Sequence, residues 1–215
     1  SRMSHDIRTP MNAIIGMSTI GKLKMEDPVR VRDCFDKIDT SSRYLLSLIN
    51  DILDMSRIES GKMLLKNEKI PTEEFLNGIN SICYAQAASK GVDYECIADP
   101  VLDDYYVGDA MKLQQVLINI LSNAIKFTDT GCIVLHVCRA GEYLTIRVRD
   151  TGVGIPAKEV VRLFDPFFQV GTGVQRNFQG TGLGLAICEK LISMMDGDIS
   201  VDTEPGMGSQ FTIRI

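Results

Sequence analysis

In the N-terminal part of the chain the apolar positions fall on a helical rhythm. Val31, Phe35, Ile38, Ser42, Leu45, Ile49 and Ile52 alternate spacings of four and three, a heptad seam interrupted once by a small polar residue. Met3, Ile7, Pro10, Ile14 and Met17 keep the same beat ahead of it. Two helices joined near Glu26-Asp27-Pro28 are predicted to form an antiparallel hairpin. A lone hairpin leaves a wide apolar stripe in water, so pairing with a second copy into a four-helix bundle homodimer is expected. The second helix should end around Glu59-Ser60-Gly61, where glycine accepts the left-handed cap conformation.

From Met63 onward the texture is mixed. Residues 72–89 read as a helix with Thr72 as N-cap and Phe75, Ile79 and Ile82 on one face. Short strands are predicted at 92–97 and 105–107, and Asp109 caps a helix over 110–126 with a broad buried face of Leu113, Val116, Leu117, Ile120, Leu121 and Ala124. Residues 132–138 and 143–149 alternate strongly, as a hairpin through Ala140-Gly141-Glu142 does. A helix over 181–195 and a hairpin of 198–203 with 209–215 follow. The fold class is therefore α+β: a helical hairpin over 1–62 forming the dimeric four-helix bundle, then an α/β sandwich with a mixed sheet over 63–215. A chain of 215 residues is comfortable for two such domains.

Composition narrows the function classes. With 45% hydrophobic and 24% charged residues the chain is ordinary globular protein, neither disordered nor fibrous. A formal net charge of −5 speaks against a nucleic-acid surface. No run approaches the ~20 apolar residues of a membrane span, and Ser1-Arg2-Met3-Ser4-His5-Asp6 lacks the apolar segment of a signal peptide. The segment is expected in the cytoplasm with no direct membrane contact. Its six cysteines, at 34, 83, 96, 132, 138 and 188, form no C-x-x-C pair and read as small buried hydrophobes in a reducing compartment rather than as metal ligands.

Glycine is dense in three places. Asp150-Thr151-Gly152-Val153-Gly154-Ile155-Pro156 follows a strand, Gly180-Thr181-Gly182-Leu183-Gly184-Leu185 runs into a helix, and Gly171-Thr172-Gly173 lies between them. Glycines let backbone N–H groups approach phosphates, and a helix N-terminus adds a favourable dipole. There is no G-x-x-x-x-G-K-[ST], and the hairpin-rich neighbourhood offers no βαβ unit for a dinucleotide fingerprint. Asn119 and Asn123, four apart on an otherwise apolar helix, project from one face with Lys126 three residues on. Two buried amides need partners. Either they cap loop groups, or they meet a magnesium-phosphate group, whose cation takes an amide oxygen and whose oxygens take a lysine.

These segments, in this order, resemble the boxes of sensor histidine kinases. Ser4-His5-Asp6-Ile7-Arg8-Thr9-Pro10 looks like the phosphoacceptor box, and Asn119 to Phe127 like the asparagine box. Asp150-Thr151-Gly152-Val153-Gly154 is similar to the first glycine box, Leu163-Phe164-Asp165-Pro166-Phe167-Phe168 to the phenylalanine box, and Gly180 to Leu185 to the second glycine box. The resemblance covers essentially the whole chain. It implies a dimerisation and phosphotransfer hairpin followed by a Bergerat-type ATP-binding domain, with ATP and Mg2+ as cofactors and a response-regulator receiver domain as partner. It also implies roles: His5 as phosphoacceptor, Asp6 as its acid/base, Thr9 orienting water for dephosphorylation of a partner, and Asn119 as magnesium ligand. Asn123 and Lys126 would lie near the phosphates, Asp150 would accept the adenine amine, and Gly152 and Gly154 would let the purine approach the backbone. Thr181 would join the adenine-side network, while Gly180, Gly182, Leu183 and Gly184 frame the phosphates beside a lid over 169–179. One departure stands out. Gln169 occupies the place where many members carry arginine, and Arg176, later in the lid, is the expected substitute for its charge. The Phe167-Phe168-Gln169 sequence and Pro10-Met11-Asn12-Ala13-Ile14-Ile15-Gly16 look like those of hybrid kinases, which carry a fused receiver and belong to longer, often membrane-anchored parents. Two other readings stay open: a Bergerat-fold ATPase without phosphotransfer, and a phosphatase-dominant signalling scaffold.

Overall fold

Two helices, α1 (Arg2–Leu23) and α2 (Pro28–Glu59), make up the N-terminal unit of a computed structural model that describes residues 2–170 and 180–215. Contacts divide the chain into Ser1–Lys62 and Met63–Ile215. Helix α1 runs through Pro10, whose ring removes one backbone donor from the helix. Helix α2 begins with Pro28 in its first turn, and the Asp27 carboxylate accepts from Arg30 N at 3.2 Å, satisfying one of the orphan amides there. It ends at Ser60 with Gly61 at φ 64°, the left-handed conformation glycine takes without strain.

The inner seam of α2 keeps Val31, Ile38, Leu45 and Ile52 of the sequence reading and takes Cys34, Ser41 and Leu48 in place of Phe35, Ser42 and Ile49. Along it Cys34, Leu48 and Met55 are buried and Val31, Ile38, Ser41, Leu45 and Ile52 are half-buried. Phe35, Ser42 and Ile49, expected on that seam, are exposed. The pattern of the sequence sums two faces: one packs against α1, and the adjacent one, with Leu46 and Leu53, is left open by a single hairpin.

The second unit is built on β2 (Asp93–Ala98), β4 (Cys132–Ala140), β5 (Tyr143–Asp150), β6 (Asp198–Glu204) and β7 (Gly208–Arg214). They lie in the order β2-β4-β5-β7-β6, with β2 parallel to β4 and the other neighbours antiparallel, so the sheet is mixed. Helices α3 (Thr72–Lys90), α4 (Ala110–Phe127) and α6 (Gly184–Met194) supply the other apolar layer. Ile133, Leu135, Val137, Ile146, Val148, Phe211 and Ile213 alternate along the strands and are buried with Val116, Leu117, Ile120 and Leu121 of α4 and Leu191 and Ile192 of α6. The opposite face of the sheet carries His136, Arg147, Arg149 and Gln210. At its two edges the exposed residues include Asp93, Glu95 and Ile97 on β2, and Asp198, Ser200, Asp202 and Glu204 on β6.

A separate antiparallel ribbon pairs β1 (Glu68–Pro71) with β3 (Tyr105–Gly108). The first of these strands shows no sequence pattern: only Ile70 of its four residues is buried. This pairing also corrects the cap of α3. Pro71 holds the N-cap position, and Thr72 turns its hydroxyl away to donate to Asp103 O at 2.6 Å while its N–H donates to Asp104 O. Asp109 does cap α4, accepting from Lys112 N, and its other oxygen takes Lys66 N, both at 3.0 Å. Helix α6 starts at Gly184 rather than at 181, because Gly180 and Gly182 stand at φ 136° and 69°. The short helix α5 (Ala157–Val160) follows Pro156.

Candidate active site

Residues with chemistry gather at two places, one in each unit. In the first, α1 carries His5, Asp6 and Thr9 within one turn. The His5 side chain is 81% exposed, and its Nδ1 lies 3.2 Å from the Asp6 carboxylate. That contact fixes the ring: with Nδ1 facing the carboxylate, Nε2 is presented to solvent. Thr9 is exposed, and its hydroxyl donates to His5 O at 3.1 Å, which leaves the oxygen able to accept.

In the second, the C-terminal half of α4 meets the start of α6. Asn123 Nδ2 donates to Asn119 Oδ1 at 3.2 Å, and the Asn119 amide lies beside Gly184. A Cβ on Gly184 would come within 2.3 Å of Asn119 Nδ2, so only glycine lets α6 begin there. One turn on, Lys126 Nζ lies 3.7 Å from the point where a Gly180 Cβ would stand. Burial holds the Lys126 ammonium below the usual lysine range. Thr181 is buried and its hydroxyl accepts from Leu183 N at 3.1 Å.

Asp150, at the end of β5, is 5% exposed. Its Oδ1 accepts from Gly152 N at 2.9 Å and Ser209 N at 3.3 Å, which leaves Oδ2 as the acceptor for an incoming donor. Burial pushes this carboxyl above the usual range, partly offset by those two N–H groups. Gly152 and Gly154 hold the loop tight to its surroundings: a Cβ would lie 2.3 Å from Phe127 O at the first and 2.1 Å from Glu204 O at the second. Val153 N donates to Phe127 O at 3.3 Å, tying this loop to the end of α4. The sequence-predicted residues thus fall into the cluster His5, Asp6, Thr9 and the cluster Asn119, Asn123, Lys126, Gly180, Gly184, with Asp150, Gly152 and Gly154 joined to the latter through the end of α4. Arg176 lies outside the described residues, as do positions 171–179 of the expected lid.

Three contributors escaped the sequence reading. Gln169, seen there as a missing charge, donates from Nε2 to Gly180 O at 2.8 Å. Phe167, at φ 64°, donates its N–H to Gly182 O at 2.8 Å, so residues 167–169 are held against Gly180 and Gly182. Ser209 reaches Asp150 across 59 residues through hairpin closure, and only Gly208 before it marks the place.

The cleft fits an adenine nucleotide on three observations. It has a buried carboxylate with one open oxygen, backbone brought close by glycines that tolerate no Cβ, and a desolvated lysine beside a left-handed Gly180. For magnesium the protein offers amide oxygen. No group of three or more His, Cys, Asp or Glu is poised for a metal among the described residues, so the remaining ligands would be phosphate oxygens and water, the usual mode for this cation. Lys126 gives a pH-dependent signature. Below its lowered pKa the lysine is protonated in both states. Between that value and the ordinary lysine range it is neutral when free, so anion binding there takes up a proton. Calorimetry of ATP binding in alkaline buffers of different ionisation enthalpy should show this uptake, and Lys126→Met should abolish it.

Comparisons agree with the geometry. Residues 108–215 match the family described as histidine kinase-, DNA gyrase B-, and HSP90-like ATPase, and residues 1–61 match the His kinase A (phospho-acceptor) domain. The chain is 60% identical over 213 residues to the sensor histidine kinase RcsC of Escherichia coli, covering 99% of this chain and 22% of RcsC. It is 36% identical over 220 residues to the signal transduction histidine-protein kinase BarA of Escherichia coli, covering 100% of this chain and 24% of BarA. The chain therefore spans under a quarter of the length of these curated relatives. Full-length ShkA, solved in complex with AMPPNP, superposes with a TM-score of 0.76 at 28% identity, over 99% of this chain and 44% of ShkA.

Proposed function

Because the chain belongs to the histidine kinase-, DNA gyrase B-, and HSP90-like ATPase family and carries a matched phospho-acceptor domain ahead of it, we propose that it is a protein-histidine kinase core. Its reaction moves the γ-phosphoryl group of ATP onto His5 for relay to a response-regulator aspartate. The observation that carries this reading is an exposed, carboxylate-oriented imidazole in the phospho-acceptor domain of a chain that also carries a cleft fitted to an adenine nucleotide.

The residues divide the work. Asp150 Oδ2 accepts the adenine amine, while Gly152 and Gly154 give the purine room against the backbone; Thr181, with Leu183 N on its hydroxyl, belongs to the same wall. Asn119 supplies an oxygen to Mg2+, which when bound neutralises phosphate charge. Asn123 orients that amide, and Lys126 with the Gly180–Gly184 backbone faces the phosphates. Phosphoryl transfer demands positioning and charge neutralisation more than covalent help. Asp6 holds the His5 Nδ1–H, so the Nε2 lone pair attacks phosphorus as the bond to the ADP oxygen breaks, and the Nδ1 proton is drawn toward Asp6. In this reading Thr9, whose hydroxyl oxygen can still accept, orients a water when the partner's phosphoaspartate is hydrolysed. Arg176 adds positive charge at the γ-phosphate in this reading, and Arg176→Ala leaving the rate unchanged would remove it from the mechanism.

The module works as a homodimer. Phe35, Leu46, Ile49 and Leu53 of α2, with Met11 and Ile15 of α1, are the exposed apolar positions that a second hairpin would cover. Burying a leucine is worth about 1.5–3 kcal/mol, so Leu46→Glu with Leu53→Glu should weaken self-association by at least about 100-fold. Light scattering on a concentration series reads this directly, and a wild-type chain that stays monomeric would contradict the bundle. The partner is a receiver domain, separate or fused in a longer, hybrid-type parent that works at the cytoplasmic side of a membrane; among the described residues no helix is long and apolar enough to cross one.

Incubation with γ-labelled ATP and magnesium tests the reaction. Acid-labile, base-stable label on the protein is expected. ATP turnover without label would point instead to a family ATPase lacking phosphotransfer, and a receiver phosphorylated by other means that loses its phosphate to this chain, with little label on the chain itself, to a phosphatase-dominant scaffold.

A further inference from the structure

We infer that Lys90, the last residue of α3, is a positioning residue for the nucleotide cleft, acting through the C-terminal turn of α4; the inference rests on the ATP-binding reading above. The last carbonyls of a helix lack intrahelical donors, and a left-handed glycine commonly supplies them with capping N–H groups. Helix α4 has no such cap: Thr128 leaves it in extended conformation at φ −106° and ψ 111°. Lys90 takes that place from another element. Its Nζ donates to Ile125 O at 2.9 Å and to Lys126 O at 2.6 Å, and lies 3.3 Å from the Asp129 carboxylate. A cation at this end of a helix also opposes the negative pole of the dipole. Lys90 itself is anchored, because Gly91 at φ 75° ends α3 with its N–H on Ala87 O and Ala88 O.

What hangs from the held turn is the cleft. Lys126 points its ammonium toward Gly180, and the next carbonyl, Phe127 O, receives Val153 N and sits against Gly152. One turn of α4 therefore joins the phosphate side of the site to the adenine side, and Lys90 fixes the carbonyls of that turn without facing the ligand. Asp129 is largely exposed, so its ion pair adds little; the two carbonyl bonds carry the effect.

Lys90→Met should raise the dissociation constant for ATP about tenfold, since a displaced turn moves Lys126 and the Phe127 carbonyl away from the positions in which they frame the nucleotide. Autophosphorylation at saturating ATP should stay within about threefold, because the acceptor and its base are elsewhere. Lys90→Arg, whose guanidinium also spans two carbonyls, should restore most of the affinity. In a Lys126→Met background the Lys90→Met effect should shrink, the coupling expected of residues acting through one another. A merely stabilising role would lower the melting temperature and leave the affinity of the folded fraction unchanged, and that result overturns the inference, as does full additivity with Lys126→Met. Should Lys90→Met not fold, Lys90→Gln, which keeps one donor, must show an intermediate affinity; wild-type affinity there overturns it too. Failure of the unsubstituted chain to bind ATP would instead refute the ATP-binding reading, so the two failures are distinct.

Discussion

His5→Gln should take up no detectable label from γ-labelled ATP, while binding nucleotide as tightly as the unsubstituted chain. The rate should fall by at least about a thousandfold, over 4 kcal/mol of barrier, because the substitution removes the attacking atom itself. Folding should be untouched: an 81% exposed helix side chain contributes within about 0.5 kcal/mol, and glutamine suits a helix. Asp6→Asn separates orientation from charge. Its amide keeps a neighbour at Nδ1 but draws no proton, so label should appear more slowly rather than vanish. Filter binding of acid-labile label at fixed times gives both numbers. Label that persists in His5→Gln would move the acceptor elsewhere in the chain.

Asp150→Asn should abolish nucleotide binding and leave the fold at least as stable. Gly152 N and Ser209 N both donate to Oδ1, so an asparagine must place its carbonyl oxygen there and its amide at the Oδ2 position. The adenine amine then meets a donor instead of an acceptor. Losing that bond and burying two opposed donors weakens binding by at least about 100-fold, near 3 kcal/mol. The stability change follows from burial. The Asp150 carboxyl holds its proton to higher pH in the folded chain than in the unfolded one, so wild-type stability falls as pH rises above about 3.9 into the raised folded range. Asparagine does not titrate. The variant should therefore gain on the wild type through that window and keep the gain at neutral pH, as melting curves between pH 3 and 7 would show. A variant less stable than wild type at pH 7 would mean that the two N–H bonds to Oδ1 outweigh the burial penalty.

The elements read best from sequence are those whose periodicity is set by one buried face. Helix α4 shows this most clearly, with Leu113, Val116, Leu117, Ile120 and Leu121 all buried as their spacing predicts, and the β4–β5 hairpin follows from its alternation. Half of the α2 seam, Val31, Ile38, Leu45 and Ile52, follows the spacing, while its alternate positions lie one residue earlier because Phe35 and Ile49 belong to the neighbouring face. Thr72 was misread as a cap because Pro71 enters from β1, a strand whose single buried residue, Ile70, leaves no pattern. Among site residues, the motif-bearing ones were visible through glycine density and paired asparagines. Ser209 on Asp150 and Lys90 on Ile125 were not, since they meet only after strands and helices have closed over 59 and 35 residues. Gln169 stands where the resemblance expects arginine, and its amide tethers Gly180 instead of offering charge.

The two outer strands of the large sheet have unpaired backbone groups, and such rims invite another chain to continue the ladder. Here both rims present carboxylates, Asp93 and Glu95 on one side and Asp198, Asp202 and Glu204 on the other. Bringing one rim against the other in a second molecule would set like charges face to face without a basic strip between them. Filament growth through the sheet is disfavoured on both sides, and more strongly at low ionic strength, where the repulsion reaches farther. In the dimer proposed above, self-association would then fall to the leucine-bearing face of α2, and crowded copies of the ATP-binding unit would be expected to resist acting as a template for fibres.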